Sequence, residues 1–134
     1  MSSLPLSDLD RATVNLGHLA GQRTVLLFWN PSCGFCSQSL DDVKWWERHR
    51  DPRLADLVVV STGDAASNRA QGFQSRVLLD NDFTAANRFG SGGTPSAVIV
   101  DELGRVASAV AVGAPEVLAL AGSASPARQA SAAK

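Results

Sequence analysis

The fold is decided by the segment Thr24-Val25-Leu26-Leu27-Phe28-Trp29-Asn30-Pro31-Ser32-Cys33-Gly34-Phe35-Cys36. Its first six residues form an unbroken apolar run that is β-branched at its start. Such a short run is typical of a central strand that is buried on both faces. Asn30, Pro31 and Ser32 then break the strand, so the two cysteines follow it directly.

A helix is predicted from about Cys33 to Arg50, because Leu40, Val43 and Trp46 recur at helical spacing and would form its buried stripe. Two residues separate Cys33 from Cys36, a spacing that lets side chains at a helix start reach disulfide distance. Unpaired N–H groups and the helix dipole there favour a Cys33 thiolate. Cys36, one turn further in, is expected to resolve mixed disulfides. The pattern predicts a redox pair rather than two inert core cysteines.

The rest of the chain alternates strands with helices, and this order predicts an α/β fold whose mixed central β-sheet carries helices on both faces. One domain is expected over residues 1–122, with a disordered tail over 123–134 that has little to bury. Residues 1–12 are polar and turn-rich, without a predicted strand. The further expected strands are Thr13–Leu16, Leu57–Val60, Val77–Leu79, Ala97–Val100 and an antiparallel strand near the sheet edge over Val106–Val112.

Composition excludes several classes of function. The chain has 134 residues, 45% of them hydrophobic, and its formal net charge of −1 argues against a nucleic-acid partner. No apolar run approaches the roughly 20 residues of a membrane helix, so no membrane contact is expected of this chain. Zinc would need ligands beyond the cysteines, and His18 and His49 are expected to be surface residues, so no metal is predicted. We expect a monomer.

Two motifs carry a resemblance to a known family. Residues 25–36 resemble the active-site segment of the thioredoxin superfamily, most closely that of the TlpA-like redoxin branch. Residues 93–101, with Gly104, match a second signature, in which the residue corresponding to Pro95 is a cis-proline that faces the cysteines. The resemblance implies a thioredoxin-like fold and a thiol-disulfide oxidoreductase that needs no cofactor. Its partners would be protein thiols or disulfides and a redox protein that donates or accepts electrons.

The resemblance also implies the site residues. Cys33 and Cys36 would be catalytic and would form the redox-active disulfide, and the substrate would bind at Thr94, Pro95, Trp29, Ser32 and Phe35. Relatives of this branch are often tethered outside the cytoplasmic membrane, which favours an extracytoplasmic location. Residues 1–10 lack the pattern of a signal peptide, which favours the cytoplasm.

The sequence departs from the family at three positions near the cysteines. Ser32 replaces a tryptophan that many relatives carry, Leu27 replaces the buried aspartate of thioredoxins proper, and Ser39 replaces a glutamate found in several cytochrome-maturation members. No local carboxylate is therefore expected to accept the Cys36 proton. Asp80 is interpreted as a helix cap or surface turn residue, and water entering beside Ser32 is expected to accept the proton.

Two alternative functions remain open at this point. A peroxiredoxin shares the fold and reduces peroxides, but its Pro-x-x-x-Thr-x-x-Cys pattern is not matched around Asn30 and Cys33. A non-catalytic interaction module would use the disulfide only as a cross-link. A two-residue loop gains little from entropic cross-linking, which weakens that interpretation.

Overall fold

The computed structural model describes residues 4–16 and 21–124, and within them it contains seven strands and four helices. The strands are β1 (Pro5–Asp8), β2 (Thr13–Asn15), β3 (Thr24–Trp29), β4 (Asp56–Ser61), β5 (Arg76–Leu79), β6 (Ser96–Val100) and β7 (Ala111–Val112). The helices are α1 (Gly34–His49), α2 (Ala65–Ala70), α3 (Thr84–Arg88) and α4 (Ala114–Ala124). Strands and helices alternate along most of the chain, so the predicted α/β class is confirmed.

All seven strands belong to one mixed sheet with the order β2-β1-β5-β4-β3-β6-β7. Strand β3 pairs in parallel with β4 and antiparallel with β6, so it lies near the middle of the sheet. All six of its residues are buried, as the apolar run predicts. This central position fixes the carboxyl end of β3, from which the cysteine segment emerges.

Side chains of β3 alternate between two cores, one on each face of the sheet. Val25, Leu27 and Trp29 pack with α1 and α4, whereas Leu26 and Phe28 pack on the opposite face around Ala85 of α3 and Phe89. In α1, Val43 and Trp46 are buried and Leu40 is half-buried, which confirms the predicted stripe. The helices therefore cover both faces of the sheet.

Strand β1 is a feature that the sequence analysis missed. It lies between β2 and β5 and pairs antiparallel with both. Backbone hydrogen bonds to these two strands hold it in the sheet despite its polar composition. Leu4 beside it is buried, and the Leu4 N–H donates to Asn15 Oδ1 at 2.8 Å. A short half-buried strand of this kind leaves little hydrophobic pattern in the sequence.

The single edge strand predicted over Val106–Val112 is wrong in extent. Val106 forms an isolated bridge with Val100, and regular pairing resumes only at β7. Between them the Ile99 N–H donates to Ser108 Oγ at 2.9 Å, so a side chain replaces the backbone acceptor there. The Ser108 hydroxyl thus interrupts the backbone hydrogen bonds between the two strands, because serine side chains compete for backbone hydrogen bonds.

The last helix, α4, extends to Ala124, whose side chain is buried. Its end lies two residues beyond the domain limit at residue 122 that the sequence suggests. Residues 125–134 of the expected tail, like His18, lie outside the described residues. In the described part of the chain, no helix is long and apolar enough to cross a membrane.

Candidate active site

A tight turn joins β3 to α1 and presents Cys33. The Cys33 N–H donates to the Asn30 carbonyl oxygen at 3.0 Å, and the Ser32 N–H donates to Asn30 Oδ1 at 2.9 Å. Cys33 has extended backbone angles and is the N-terminal cap residue of α1. The Cys33 carbonyl oxygen accepts from the Ser37 N–H at 3.0 Å. Asparagine suits this turn because its side chain bonds the backbone two residues on.

The two cysteines are free thiols in very different surroundings. Cys33 is partly exposed, whereas Cys36 has no exposed surface and packs in the core with Leu27 and Val43. One sulfur is thus accessible at the helix start, and the other is buried a turn further along.

The pKa values of the two thiols shift in opposite directions. A hydrogen bond with the Thr94 side chain is the largest effect that lowers the pKa of Cys33 below the ordinary 9.0, and bonds with the backbone of Cys36 and Phe35 add to it. Burial, partly offset by a hydrogen bond with the Asn30 backbone, raises the pKa of Cys36 to about 11. The thiolate therefore forms first on the sulfur that solvent and substrates can reach.

Thr94 is the residue that ties the second motif to the dithiol. Its carbonyl oxygen lies 3.6 Å from Cys33 Sγ, and the peptide bond between Thr94 and Pro95 is cis, as expected from the family resemblance. Ser91 secures the loop that carries it: its hydroxyl lies 2.6 Å from that of the buried Ser96 and donates to the Gly93 carbonyl oxygen at 3.3 Å. The glycine-rich loop is thus held at both ends.

A groove of about 570 Å³ opens beside the dithiol, and it is called the dithiol groove below. Its lining is mainly apolar. One face of α1, the 93–95 loop and the segment that enters α4 line it, and Thr94 of that loop lies next to Cys33 Sγ. The residues that line it are Phe35, Gln38, Ser39, Asp42, Gly93, Thr94, Pro95 and residues 112–115.

The expected substrate-binding residues fall into three groups. Phe35 and Thr94 line the dithiol groove, and Pro95 borders it although its side chain is as buried as that of Trp29, whereas Ser32 is exposed next to Cys33 but outside the groove. Trp29 does not fit the prediction that it contacts the substrate. Its side chain is 1% exposed, donates from Nε1 to Gln71 Oε1 at 2.9 Å, and so offers a substrate no surface.

The positions that depart from the family have structural roles. Leu27 lies in the core. Ser39 is buried, and its hydroxyl donates to the carbonyl oxygens of Phe35 and Cys36, each at 3.1 Å. Asp80 is buried rather than at the surface, and its carboxylate accepts from the Ala85 and Ala86 N–H groups in the first turn of α3, although the N-cap residue of that helix is Phe83.

Sequence reasoning missed two residues that line the groove and a buried acidic residue, Glu47, further along α1. Asp42 could have been found from its helical spacing to Phe35, which places both on one face of α1. Val112 reaches the groove from a remote part of the chain, for which the sequence holds no signal. Glu47 is buried in α1 and accepts from the Gln74 and Ser75 N–H groups at 3.0 and 2.7 Å, which anchors the loop before β5.

Among the described residues, no cluster of His, Cys, Asp and Glu could hold a metal ion.

Comparison with known proteins adds a family and a set of structural relatives. A family model described as Redoxin matches residues 2–121, whereas no curated protein matches the sequence significantly. A secreted disulfide oxidoreductase of Mycobacterium tuberculosis is 21% identical with a TM-score of 0.67, and the alignment covers 78% of this chain and 80% of that one.

Two further solved structures are similar over most of their length. StoA of Bacillus subtilis is 16% identical with a TM-score of 0.70, with 90% of this chain and 94% of that one covered. An exposed lipoprotein thioredoxin of Streptococcus pneumoniae is 19% identical with a TM-score of 0.70, with coverage of 91% and 99%. At these identities the similarity establishes a shared fold.

Proposed function

The chain belongs to the Redoxin family, and from that premise we propose that it is a thiol-disulfide oxidoreductase that exchanges disulfides with protein substrates through Cys33 and Cys36. The single observation that carries the proposal is the asymmetry of the dithiol. The partly exposed sulfur has the lowered pKa, and the buried sulfur has the raised one. Such a pair suits a nucleophile and a resolving thiol.

The reaction proceeds in two exchanges. The Cys33 thiolate attacks one sulfur of the substrate disulfide, the substrate S–S bond breaks, and a mixed disulfide forms while the released substrate thiolate takes a proton. Cys36 then loses its proton and attacks Cys33 Sγ, which expels the second substrate thiolate. Two electrons pass to the substrate, which becomes a dithiol, and the protein becomes the Cys33–Cys36 disulfide. A partner redox protein restores the dithiol, and the same steps in reverse oxidise a substrate.

The groove beside the sulfurs supports a protein substrate. Phe35 is 70% exposed and Val112 is 55% exposed, so both present apolar surface next to the dithiol. A peptide segment that lies across them would bury this surface, which is the main driving force of most protein association. A peroxide would need none of it.

Insulin reduction in the presence of dithiothreitol tests the proposal. The protein should accelerate precipitation of the insulin B chain, and both Cys33→Ser and Cys36→Ser should abolish the acceleration. Cys36→Ser should accumulate mixed disulfides with insulin, whereas Cys33→Ser should accumulate few. A peroxide-consumption assay on the same samples separates the alternative. Rapid peroxide loss without insulin reduction would show a peroxidase. The absence of both activities would favour the non-catalytic module.

A further inference from the structure

The dithiol groove combines apolar surface with a single charge. Phe35 of α1 and Val112 of β7 both line it, and both are largely exposed. Asp42 is the one charged residue among the described residues that line the groove. The described part of the chain gives Asp42 no ion pair, and its side chain is exposed. The groove is therefore apolar near the dithiol and negative further along.

The geometry of α1 sets the distance between these two features. Phe35 and Asp42 are seven residues apart on the same face of the helix, which corresponds to about 10 Å along its axis. An extended peptide advances about 3.3 Å per residue, so about three of its residues span that distance. A substrate residue next to the reacting cysteine can contact Phe35 while a residue about three positions further away lies opposite Asp42.

We propose that the dithiol groove selects substrate segments with an apolar residue next to the reacting cysteine and a lysine or arginine about four positions from that cysteine. Phe35 and Val112 receive the apolar side chain, and the Asp42 carboxylate pairs with the cation. The proposal rests on the proposed function, since it names the class of protein substrate for the same site. It makes Asp42 a specificity-determining residue that contacts the substrate and takes no part in sulfur chemistry.

Matched peptides test this selection. Each peptide carries a fluorophore and one cysteine, which is joined by a disulfide to the same quencher-bearing thiol, and reduction by excess reduced protein releases the fluorescence. The set places Phe next to the cysteine and Lys, Gln or Glu four positions away on either side, and a further peptide replaces Phe with Ser. The observable is the second-order rate constant for each peptide.

On one side of the cysteine, either N-terminal or C-terminal, the peptide with lysine should react about fivefold faster than the one with glutamate at low ionic strength. This is the effect expected of an exposed ion pair. The ratio should approach one at high salt, because salt screens exposed charges. Asp42→Asn should bring the ratio close to one, whereas Asp41→Asn, an exposed neighbour outside the groove, should leave it unchanged. Phe35→Ala should remove the preference for Phe over Ser, and Leu103→Ala, exposed on a remote turn, should retain it.

Equal rate constants for the lysine and glutamate peptides with the unmodified protein would overturn the proposal, as would equal effects of Asp41→Asn and Asp42→Asn. The salt dependence of the unmodified protein needs no variant, so the test does not depend on how a substitution folds. Failure of the proposed function gives a different result. In that case no peptide is reduced and insulin is not reduced either.

Discussion

Raising the pH from 7 to 9 should accelerate the second exchange, in which Cys36 attacks the mixed disulfide, much more than the first. The reason is the buried position of Cys36, where desolvation opposes its thiolate and the pKa is about 11. At pH 7 this pKa leaves about one molecule in ten thousand with a Cys36 thiolate. Each added pH unit should then increase the rate by up to about tenfold, and the two units by up to about 100-fold.

The mixed disulfide changes the surroundings of Cys36 in a known direction. The negative charge of Cys33 is one cause of the raised Cys36 pKa, and that charge is lost when Cys33 is bonded to a substrate. Burial, the largest cause, remains. Loss of that charge lowers the pKa of Cys36 while burial still raises it, so the rate should still rise between pH 7 and 9.

No buried carboxylate of the described residues is placed to take the proton. Glu47 lies eleven residues beyond Cys36, about 16 Å along α1, and Asp80 lies at the first turn of α3 on the other face of the sheet. Each accepts two backbone N–H groups. Ser39 donates its hydroxyl hydrogen to backbone carbonyls. We therefore predict that water or hydroxide is the acceptor.

Stopped-flow reaction with Ellman's reagent separates the two exchanges. Attack by Cys33 releases one thionitrobenzoate in a phase that depends on reagent concentration, and attack by Cys36 releases a second in a phase that does not. The first rate should level off above the lowered pKa of Cys33, whereas the second should continue to rise. Cys36→Ser is the control that should lose the second phase.

A second phase that is flat from pH 7 to 9 would refute the reasoning. So would a loss of more than tenfold in that phase on Asp80→Asn, with the fold intact by circular dichroism. Either result would mean that a protein carboxylate accepts the Cys36 proton.

Three further outcomes are expected. Thr94→Val should raise the pH midpoint for alkylation of Cys33 by iodoacetamide, because the Thr94 side-chain hydrogen bond is the main cause of its lowered pKa, and Thr94→Ser should restore it; an unchanged midpoint in the valine variant contradicts this. Glu47→Ala should lower the free energy of unfolding in urea by about 1–3 kcal/mol, because two backbone N–H groups lose their acceptor, whereas Asp41→Ala should change it by less than about 0.5 kcal/mol. Deletion of residues 125–134 should leave the melting temperature nearly unchanged, and a drop of several degrees would show that the segment contributes to stability.

The sequence by itself determined the centre of this protein. The apolar run of β3, the turn at Asn30 and the spacing of Cys33 and Cys36 are local features, and each directly constrains the backbone around it. The same holds for the buried stripe of α1, which follows from helical periodicity. Local hydrogen bonds and hydrophobic spacing act over a few residues. They can therefore be recognised in the sequence without knowing which other segments pack against them.

Only the tertiary structure decided which distant residues meet the dithiol. Thr94 contacts Cys33 across 61 positions of sequence, and Val112 lines the groove together with Phe35 because β6 and β7 pair beside β3. Trp29 continues the apolar run but is covered by neighbouring segments, which removed it from the substrate surface. Pairing across a sheet and burial against other elements depend on the whole chain, and no local pattern encodes them.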